Sequence, residues 1–442
     1  MVSVAAFFHR RFRPPAMAPR KRFLIAIPAH DEEACIATTV RSCMAVDYPQ
    51  ELFEVLVVAD NCADQTAAIA SSEGATVLPR FHDTDRSKGH ALRFLFDQLE
   101  QTGQIDKFDA VVVVDADTVV RPNLLSRLAD YLEQGEDWVQ AFDTVANACD
   151  SWRTRLMAYS FGLINGVFLL GQTAVGLSAA LRGNGMCLST RGLKRFPWKA
   201  YGLVEDLEFS WSLRGAGERI AFAPDAVVCA TMLVHGGDAA AIQRQRSEYG
   251  RRQLKRDMLY PLVRSKHLKW PAKLAAIIEL SMPPLVPLTV LLLTSMVYCL
   301  CVLCSGSSLV HGMWFRLLLG LVLLECCGLA LYGISPFVHF QTRWNVLLGL
   351  FYFPRYVLWR ISMIARSGPA RWIRTPRESA AGREVNRQPP CTTRQQSTAY
   401  PGAVLNCAAE VEQKNDRASA IMTDQPISSS SIQWYTNSAS IT

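Results

Sequence analysis

The chain has 442 residues, half of them hydrophobic, with 46 Lys and Arg against 39 Asp and Glu and a formal charge of +7. That length allows a large core and two or three structural units. The small basic excess gathers beside apolar stretches, so it points to a membrane surface and offers no case for nucleic acid as a partner.

Residues 1–21 carry Arg10, Arg11, Arg13 and Arg20, and the apolar run VSVAAFF precedes them and is too short for a signal-peptide core. A basic, disordered N-terminus is expected, with residues up to 270 in the cytoplasm. From 22 to 120, strand-like and helix-like stretches alternate: FLIAIPA, EEACIATTVRSCMAV, FEVLVVAD, DQTAAIASSEG, ATVLPR, GHALRFLFDQLEQTG and DAVVVVDAD. Short continuous β-rich runs between longer helical ones predict a mostly parallel sheet covered on both faces, hence a doubly wound α/β domain. In such a sheet, ligands bind at the carboxyl edge of the strands. Asp60 ends one predicted strand, Asp115 and Asp117 another, and PAHDEE follows the first. No Gly-x-Gly-x-x-Gly follows that first strand, which argues against a dinucleotide-binding enzyme.

The uncharged stretch 156–181 resembles a span, but crossing there would put Asp117 and the later Glu205-Asp206 pair on opposite sides of a membrane. Helices packed on the catalytic domain or resting on the bilayer are expected instead. The interval 280–310 has no charged side chain, and 317–342 has only Glu325 besides one histidine. Each exceeds the ~20 apolar residues needed to cross hydrocarbon, so spans are expected near 278–304 and 314–336. Lys266, Lys269 and Lys273 precede the first, and Arg343, Arg355, Arg360, Arg366, Arg371 and Arg374 follow the second. The loop SGSSLVHG between them has no Lys or Arg. The positive-inside bias places both flanks in the cytosol. Glu325, an ionisable group within the second span, is by default a candidate functional residue, and a protonated glutamate facing the other helix is an alternative of at least equal weight.

The stretch WNVLLGLFYFPRYVLWRISMIARSG suits an interfacial helix better than a third crossing, and the polar sequence from 378 onward suits disorder. The 13 cysteines fall at irregular spacings, which predicts free thiols in a reducing compartment, with Cys301 and Cys304 as apolar filler. The domain boundaries implied are 1–21, 22–272 for the catalytic unit, 273–336 for two spans, 337–377 for the interfacial and closing segment, and 378–442 for the tail.

Two carboxylates one residue apart at a strand end repel each other unless a cation sits between them and a ligand. Mg2+ or Mn2+ commonly takes one or two carboxylates plus substrate phosphates, so Asp115 and Asp117 are candidate ligands. Alone, Asp-x-Asp equally fits an ordinary solvated strand end. Glu205-Asp206 opens a helix, where capping and dipole complementarity are the plain alternative. Residues 242–256, IQRQRSEYGRRQLKR, form an arginine-dense helix. Arg251, Arg252 and Arg256 suit anionic lipid.

In order and approximate spacing, Asp60 in VVADNCAD, Asp117 in VVDAD, Asp206 in LVEDLEFS and the QRQRS run from Gln243 resemble inverting glycosyltransferases of family 2. The likeness is to the membrane-bound branch with cellulose, chitin, hyaluronan and poly-N-acetylglucosamine synthases. IPAHDEE, RSKGHAL around Lys88, RGNGMCLST and WIRTPR add to it, so the resemblance covers about 22–377. It implies a GT-A fold. It further implies that Asp60 binds the uridine, that Pro28, Ala29, Lys88 and Asp115 line the nucleotide pocket, and that Asp115 and Asp117 hold Mg2+ or Mn2+. Asp206, beside Glu205, would be the general base. Gln243, Arg244, Arg246, Gly183 and Asn184 would face the acceptor or the diphosphate.

Ser247 stands where polymer synthases have tryptophan, and two spans are few for threading a polysaccharide. The expectation is therefore a multi-pass protein of the inner (cell) membrane with a cytoplasmic catalytic domain. It would move sugar from a UDP-sugar to a lipid-linked or saccharide acceptor in cell-envelope or exopolysaccharide synthesis. The alternatives are a processive synthase and a non-catalytic scaffold working with other envelope polysaccharide assembly subunits. A nucleotidyltransferase would carry a glycine-rich loop near its first strand, which this chain lacks.

Overall fold

The computed structural model describes residues 2–8, 19–235, 237–281, 285–305, 312–340, 342 and 344–364; the side chains of 2, 3, 238–240, 243, 281, 285–290 and 359–364 fall outside that description. Its centre is a mixed sheet built from β1 (Phe23–Ala29), β2 (Phe53–Asp60), β3 (Thr76–Arg80), β4 (Ala110–Val113), β5 (Thr118–Val120), β6 (Trp138–Val145), β7 (Met186–Ser189) and β8 (Ala221–Ala230). The strand order is β3-β2-β1-β4-β7-β6-β8-β5. The half made by β1 to β4 is parallel, as the alternation of strand and helix predicts. Beyond it, β7 is antiparallel to both β4 and β6, β6 is parallel to β8, and β5 is antiparallel on the edge.

Successive side chains of a strand point to opposite faces, and both faces are covered. Leu24, Ala26, Leu56, Val58, Val111 and Val113 enter one core with α4 (Lys88–Gln101), α7 (Phe168–Ala174) and α9 (Glu205–Gly215). Phe23, Ile25, Ile27, Val55, Val57 and Val112 enter the other with α2 (Ile36–Met44) and α5 (Leu124–Glu133). This two-sided burial is why the strands read as unbroken apolar runs. α3 (Thr66–Ser72) and α8 (Thr190–Arg195) are short connectors. α4 begins at Ser87, whose hydroxyl accepts the His90 N–H at 3.3 Å. Its first turn fits closely beneath the 196–201 loop, where the buried Trp198 indole donates to the Gly89 carbonyl at 3.1 Å and to that of Ala200 at 3.0 Å.

The N-terminus departs from the expected disorder, because Val2–Phe8 is a helix, α1, with Ala6 fully buried. The apolar VSVAAFF stretch finds a seat against α7 and the long α13 (Met313–His339), and His339 Nε2 lies 3.1 Å from the Phe7 carbonyl. The stretch expected to pack on the catalytic domain is α6 (Trp152–Phe161), a π-helical turn over Gly162–Val167, and α7. It has a mean hydropathy of 1.2 and passes a length test for a span, yet 61% of it is buried. α13 is different: mean hydropathy 2.2, with 6% buried.

The region expected as the first span is two helices, α11 (Trp270–Ser281) and α12 (Leu285–Cys304). Positions 283 and 284 are both proline, which cannot continue a helix's hydrogen bonding. α11 sits on the catalytic unit through Ala276, against Trp211 and against Leu254 and Leu262 of α10 (Asp238–Arg264). The expected span start near 278 thus falls within α11, a helix that packs on α9 and α10. α12 and α13 pack together through Cys299, Val302, Phe315 and Val322. The expected interfacial segment is a 3-10 stretch, Trp344–Tyr352, packed on α6, followed by α14 (Phe353–Ile364). WIRTPR and the tail from 378 lie outside the described residues.

Candidate active site

The parallel half of the sheet brings the ends of β1, β2 and β4 to one rim. Asp60, at the end of β2, is buried and its Oδ1 accepts from Arg80 Nη1 at 2.5 Å and from Asn61 Nδ2 at 2.9 Å. Pro28 and Ala29 close β1 beside it, and His30 Nδ1 lies 2.6 Å from the Asp60 carbonyl. Asp31 and Asn61 turn the chain out of the two strands with positive φ of 52° and 51°. The ligand atoms of Asp31, Cys62 and Asp64 come within 4.8 Å of one another. Asp31 Oδ1 takes the Ala63 N–H at 2.7 Å and Asp64 Oδ2 the Glu33 N–H at 3.2 Å, so these carboxylates stitch the two loops together.

Asp115, Ala116 and Asp117 form the turn between β4 and β5. Thr39 Oγ1 holds the Ala116 carbonyl at 2.7 Å, and the Thr231 N–H holds that of Asp117 at 2.9 Å. Lys88, the first residue of α4, donates to Asp115 Oδ1 and, at 2.6 Å, to the Gly183 carbonyl. Gly183 has φ +84°, and a Cβ there would lie 3.3 Å from Asp206 Oδ2. A left-handed residue without a side chain is thus what lets the 182–185 loop lie against the start of α9. Lys88, Asp115, Gly183, Glu205 and Asp206 form one cluster.

Its electrostatics follow from burial and crowding. Burial raises the Asp206 pKa against the pull of the Leu207 N–H, Lys88, Arg182 and Arg251, and burial with Asp206 alongside raises that of Glu205. Burial opposes the charge on Lys88, but Asp115, Glu205 and Asp206 outweigh it and raise its pKa. The rim already favours positive charge, Asp115 is 38% exposed at its side chain, and the neighbouring Asp117 adds a second hard oxygen donor of the kind Mg2+ and Mn2+ accept. Those two carboxylates fit a divalent ion.

Asn184 is buried below Asp115 and accepts its N–H at 3.2 Å. On α10, Arg244 is paired with Glu248 at 3.1 Å, and Arg246 is half-buried. The Gln243 side chain lies outside the described residues. Sequence reasoning passed over three residues. Arg80 holds Asp60 from twenty positions away. Arg182 has a buried Nε without a partner and lies within the electrostatic reach of Asp206. Asp143, buried in β6, has its pKa pushed well up by burial and by Asp115. Asp143 alone carried a visible signal, as a carboxylate inside an apolar strand, VQAFDTV.

A family model for Glycosyltransferase like family 2 matches residues 19–254. The chain belongs to that family, and the sheet, with its acidic rim, is its GT-A catalytic fold. It is 26% identical over 196 residues to a beta-monoglucosyldiacylglycerol synthase of Trichormus variabilis, covering 43% of this chain and 40% of that protein. It is 28% identical over 142 residues to an undecaprenyl-phosphate 4-deoxy-4-formamido-L-arabinose transferase of Serratia proteamaculans, covering 30% of this chain and 40% of that protein. The chain thus spans about 40% of the length of these curated relatives. Among solved structures, a mannosyltransferase from Pyrobaculum calidifontis in complex with GDP-Man and Mn2+ superposes with a TM-score of 0.49 at 15% identity, over 78% of this chain and 93% of that one.

Proposed function

We propose that this chain is a membrane-anchored, inverting glycosyltransferase that moves a sugar from a UDP-sugar to a lipid-linked acceptor at the cytoplasmic face. The observation that carries the reading is Lys88, which joins Asp115 to the Gly183 carbonyl while Gly183 backs onto Asp206. A leaving-group side and a base side meet there across one loop. Pro28, Ala29 and Asp60, with Arg80 fixing the Asp60 carboxylate, form the nucleoside end. Asp115 and Asp117 hold Mg2+ or Mn2+, whose chemistry is to neutralise the departing diphosphate. Lys88 adds a cation on the same side. Asp206 takes the proton of the acceptor hydroxyl as that oxygen bonds to the anomeric carbon, and the bond to UDP breaks with its electron pair leaving on the phosphate. Arg244 and Arg246 line the acceptor side with Arg182 and Gly183, whereas Asn184, expected there from the sequence, is buried with its amide turned to Asp115, Thr118 and Asp143. A lipid acceptor is supported by α11, which packs on α9 and α10 and is the helix preceding α12 in the chain, and by the names of the two relatives, which specify diacylglycerol and undecaprenyl phosphate. α12 and α13 are the anchor, with positive flanks toward the cytosol.

The test is purified protein in detergent with a panel of UDP-sugars and lipid extract. Turnover is expected only with Mg2+ or Mn2+, and Asp206→Asn is expected to lower it at least ~100-fold while UDP affinity stays within about twofold. Turnover unchanged in that variant removes Asp206 as the base, and turnover undiminished in chelator removes the metal.

A further inference from the structure

We propose that Asp143 is a positioning residue that sets the metal-binding turn by fixing the orientation of Asn184. This rests on the reading of Asp115 and Asp117 as metal ligands and adds a residue outside the motifs that define the site.

Asn184 is the hub. It stands between Gly183 and Gly185, both left-handed with φ of +84° and +70°, and a Cβ on Gly185 would lie 2.9 Å from Ala141 and Val228. That double turn drives the amide inward beneath the end of β4. Its Oδ1 accepts the N–H of Asp115 at 3.2 Å, while its Nδ2 donates to Thr118 Oγ1 and Asp143 Oδ1, each at 3.0 Å. Gln140 Nε2 holds the Asn184 carbonyl at 2.7 Å. One side chain therefore grips the main chain just before the Asp115–Asp117 turn and the side chain just after it.

An amide has two nearly isosteric orientations, and its surroundings decide between them. The Asp115 N–H can only donate, so it requires the oxygen. Thr118 can donate or accept, so it decides nothing. Asp143 supplies the choice, because a carboxyl offers Asn184 an acceptor oxygen in either protonation state. Its other oxygen is engaged as well: Asn165 Nδ2 lies 3.3 Å from Asp143 Oδ2 and 3.3 Å from its carbonyl.

Asn165 belongs to the π-helical turn Gly162–Val167, and such turns re-aim a side chain that a regular helix would direct elsewhere. The turn itself is tied to α13 by Tyr332, whose hydroxyl donates to the Leu163 carbonyl at 2.9 Å. A chain of bonded groups thus runs from α13 through Asn165, Asp143 and Asn184 to Asp115.

An Asn at 143 has one acceptor atom for two facing amide donors, so Asp143→Asn frustrates the network with almost no change in volume. The experiment uses the full chain in detergent with saturating UDP and follows Mn2+ binding by EPR. Asp143→Asn is expected to weaken Mn2+ binding about tenfold, as when other metal sites lose a group that orients a ligand. The metal concentration for half-maximal turnover is expected to rise in parallel, with kcat recovering to within about twofold at high Mn2+. Merely structural damage would not be reversed by metal. Asn165→Ala, a milder change, is expected to weaken Mn2+ about threefold, and it decides the matter if Asp143→Asn does not fold. Asp117→Asn serves as the reference for loss of a ligand. If wild type binds Mn2+, Asp117→Asn loses it and both network variants bind as wild type does, the positioning role is overturned and the metal reading stands. If wild type binds no Mn2+, the metal reading falls and takes this role with it.

Discussion

Glu205 and Asp206 stand side by side at the first turn of α9; burial biases both toward the protonated form, and at Glu205 the Asp206 charge adds to it. A carboxyl whose folded pKa lies above its unfolded one holds its proton more tightly when folded. The pair therefore contributes stability at pH below the ordinary carboxylate range, and that contribution is lost as pH rises through the raised values. Activity has the opposite dependence, because a base must be unprotonated to work. The rate is expected to fall with falling pH through a region above the usual carboxylate range. Glu205→Gln removes the neighbouring charge, so the acid limb of kcat/KM should move to lower pH; a limb that stays in place would show that Asp206 titrates independently. Single residues were unevenly legible. Asp60, Asp115, Asp117 and Asp206 announce themselves because each ends a strand, follows one or begins a helix. Arg80, Asp143 and Arg182 act through partners distant in sequence, and no local pattern encodes a pairing such as that of Arg80 with Asp60.

The first turn of α4 is the element on which the cluster leans hardest, since it carries Lys88 and fits beneath the 196–201 loop. A Cβ on Gly89 would lie 2.2 Å from the Ala200 carbonyl oxygen and 3.2 Å from the Tyr201 Cα, all backbone atoms that cannot rotate aside. Gly89→Ala is expected to cost about 1–3 kcal/mol of stability through overpacking. Because relief requires α4 to withdraw, Lys88 should also lose its hold on Asp115, raising KM for the donor. Thermal unfolding and donor titration measure the two effects, and a variant with lowered melting and unaltered KM would separate Lys88 placement from α4 packing. Elements of the parallel half were readable because valine-rich runs and helical stretches alternate cleanly there. β7, four residues long, was not, since a strand of that length inserted antiparallel between β4 and β6 carries no periodic signal of its own. α1 was misread for a related reason. Its six apolar residues acquire a role only once α7 and α13 give them a surface to cover.

For the whole molecule, the decisive contrast lies between two apolar helical stretches that composition treats alike. Trp152–Ala174 is largely covered by the catalytic domain, with 61% of its apolar stretch buried, whereas only 6% of the apolar stretch of Met313–His339 is buried. Leu321 and Leu324 are 58% and 68% exposed, near the middle of α13. An exposed face of this length is what a lipid-facing span requires. An arginine at the centre of a span costs about 3 kcal/mol, so Leu321→Arg and Leu324→Arg are expected to cut the carbonate-resistant membrane fraction several-fold. Phe81, 74% exposed on the catalytic unit, is the control, and Phe81→Arg should leave that fraction unchanged. If the α13 variants stay in the membrane as wild type does, the face is covered by protein rather than lipid. The site would then be tethered through α12 alone.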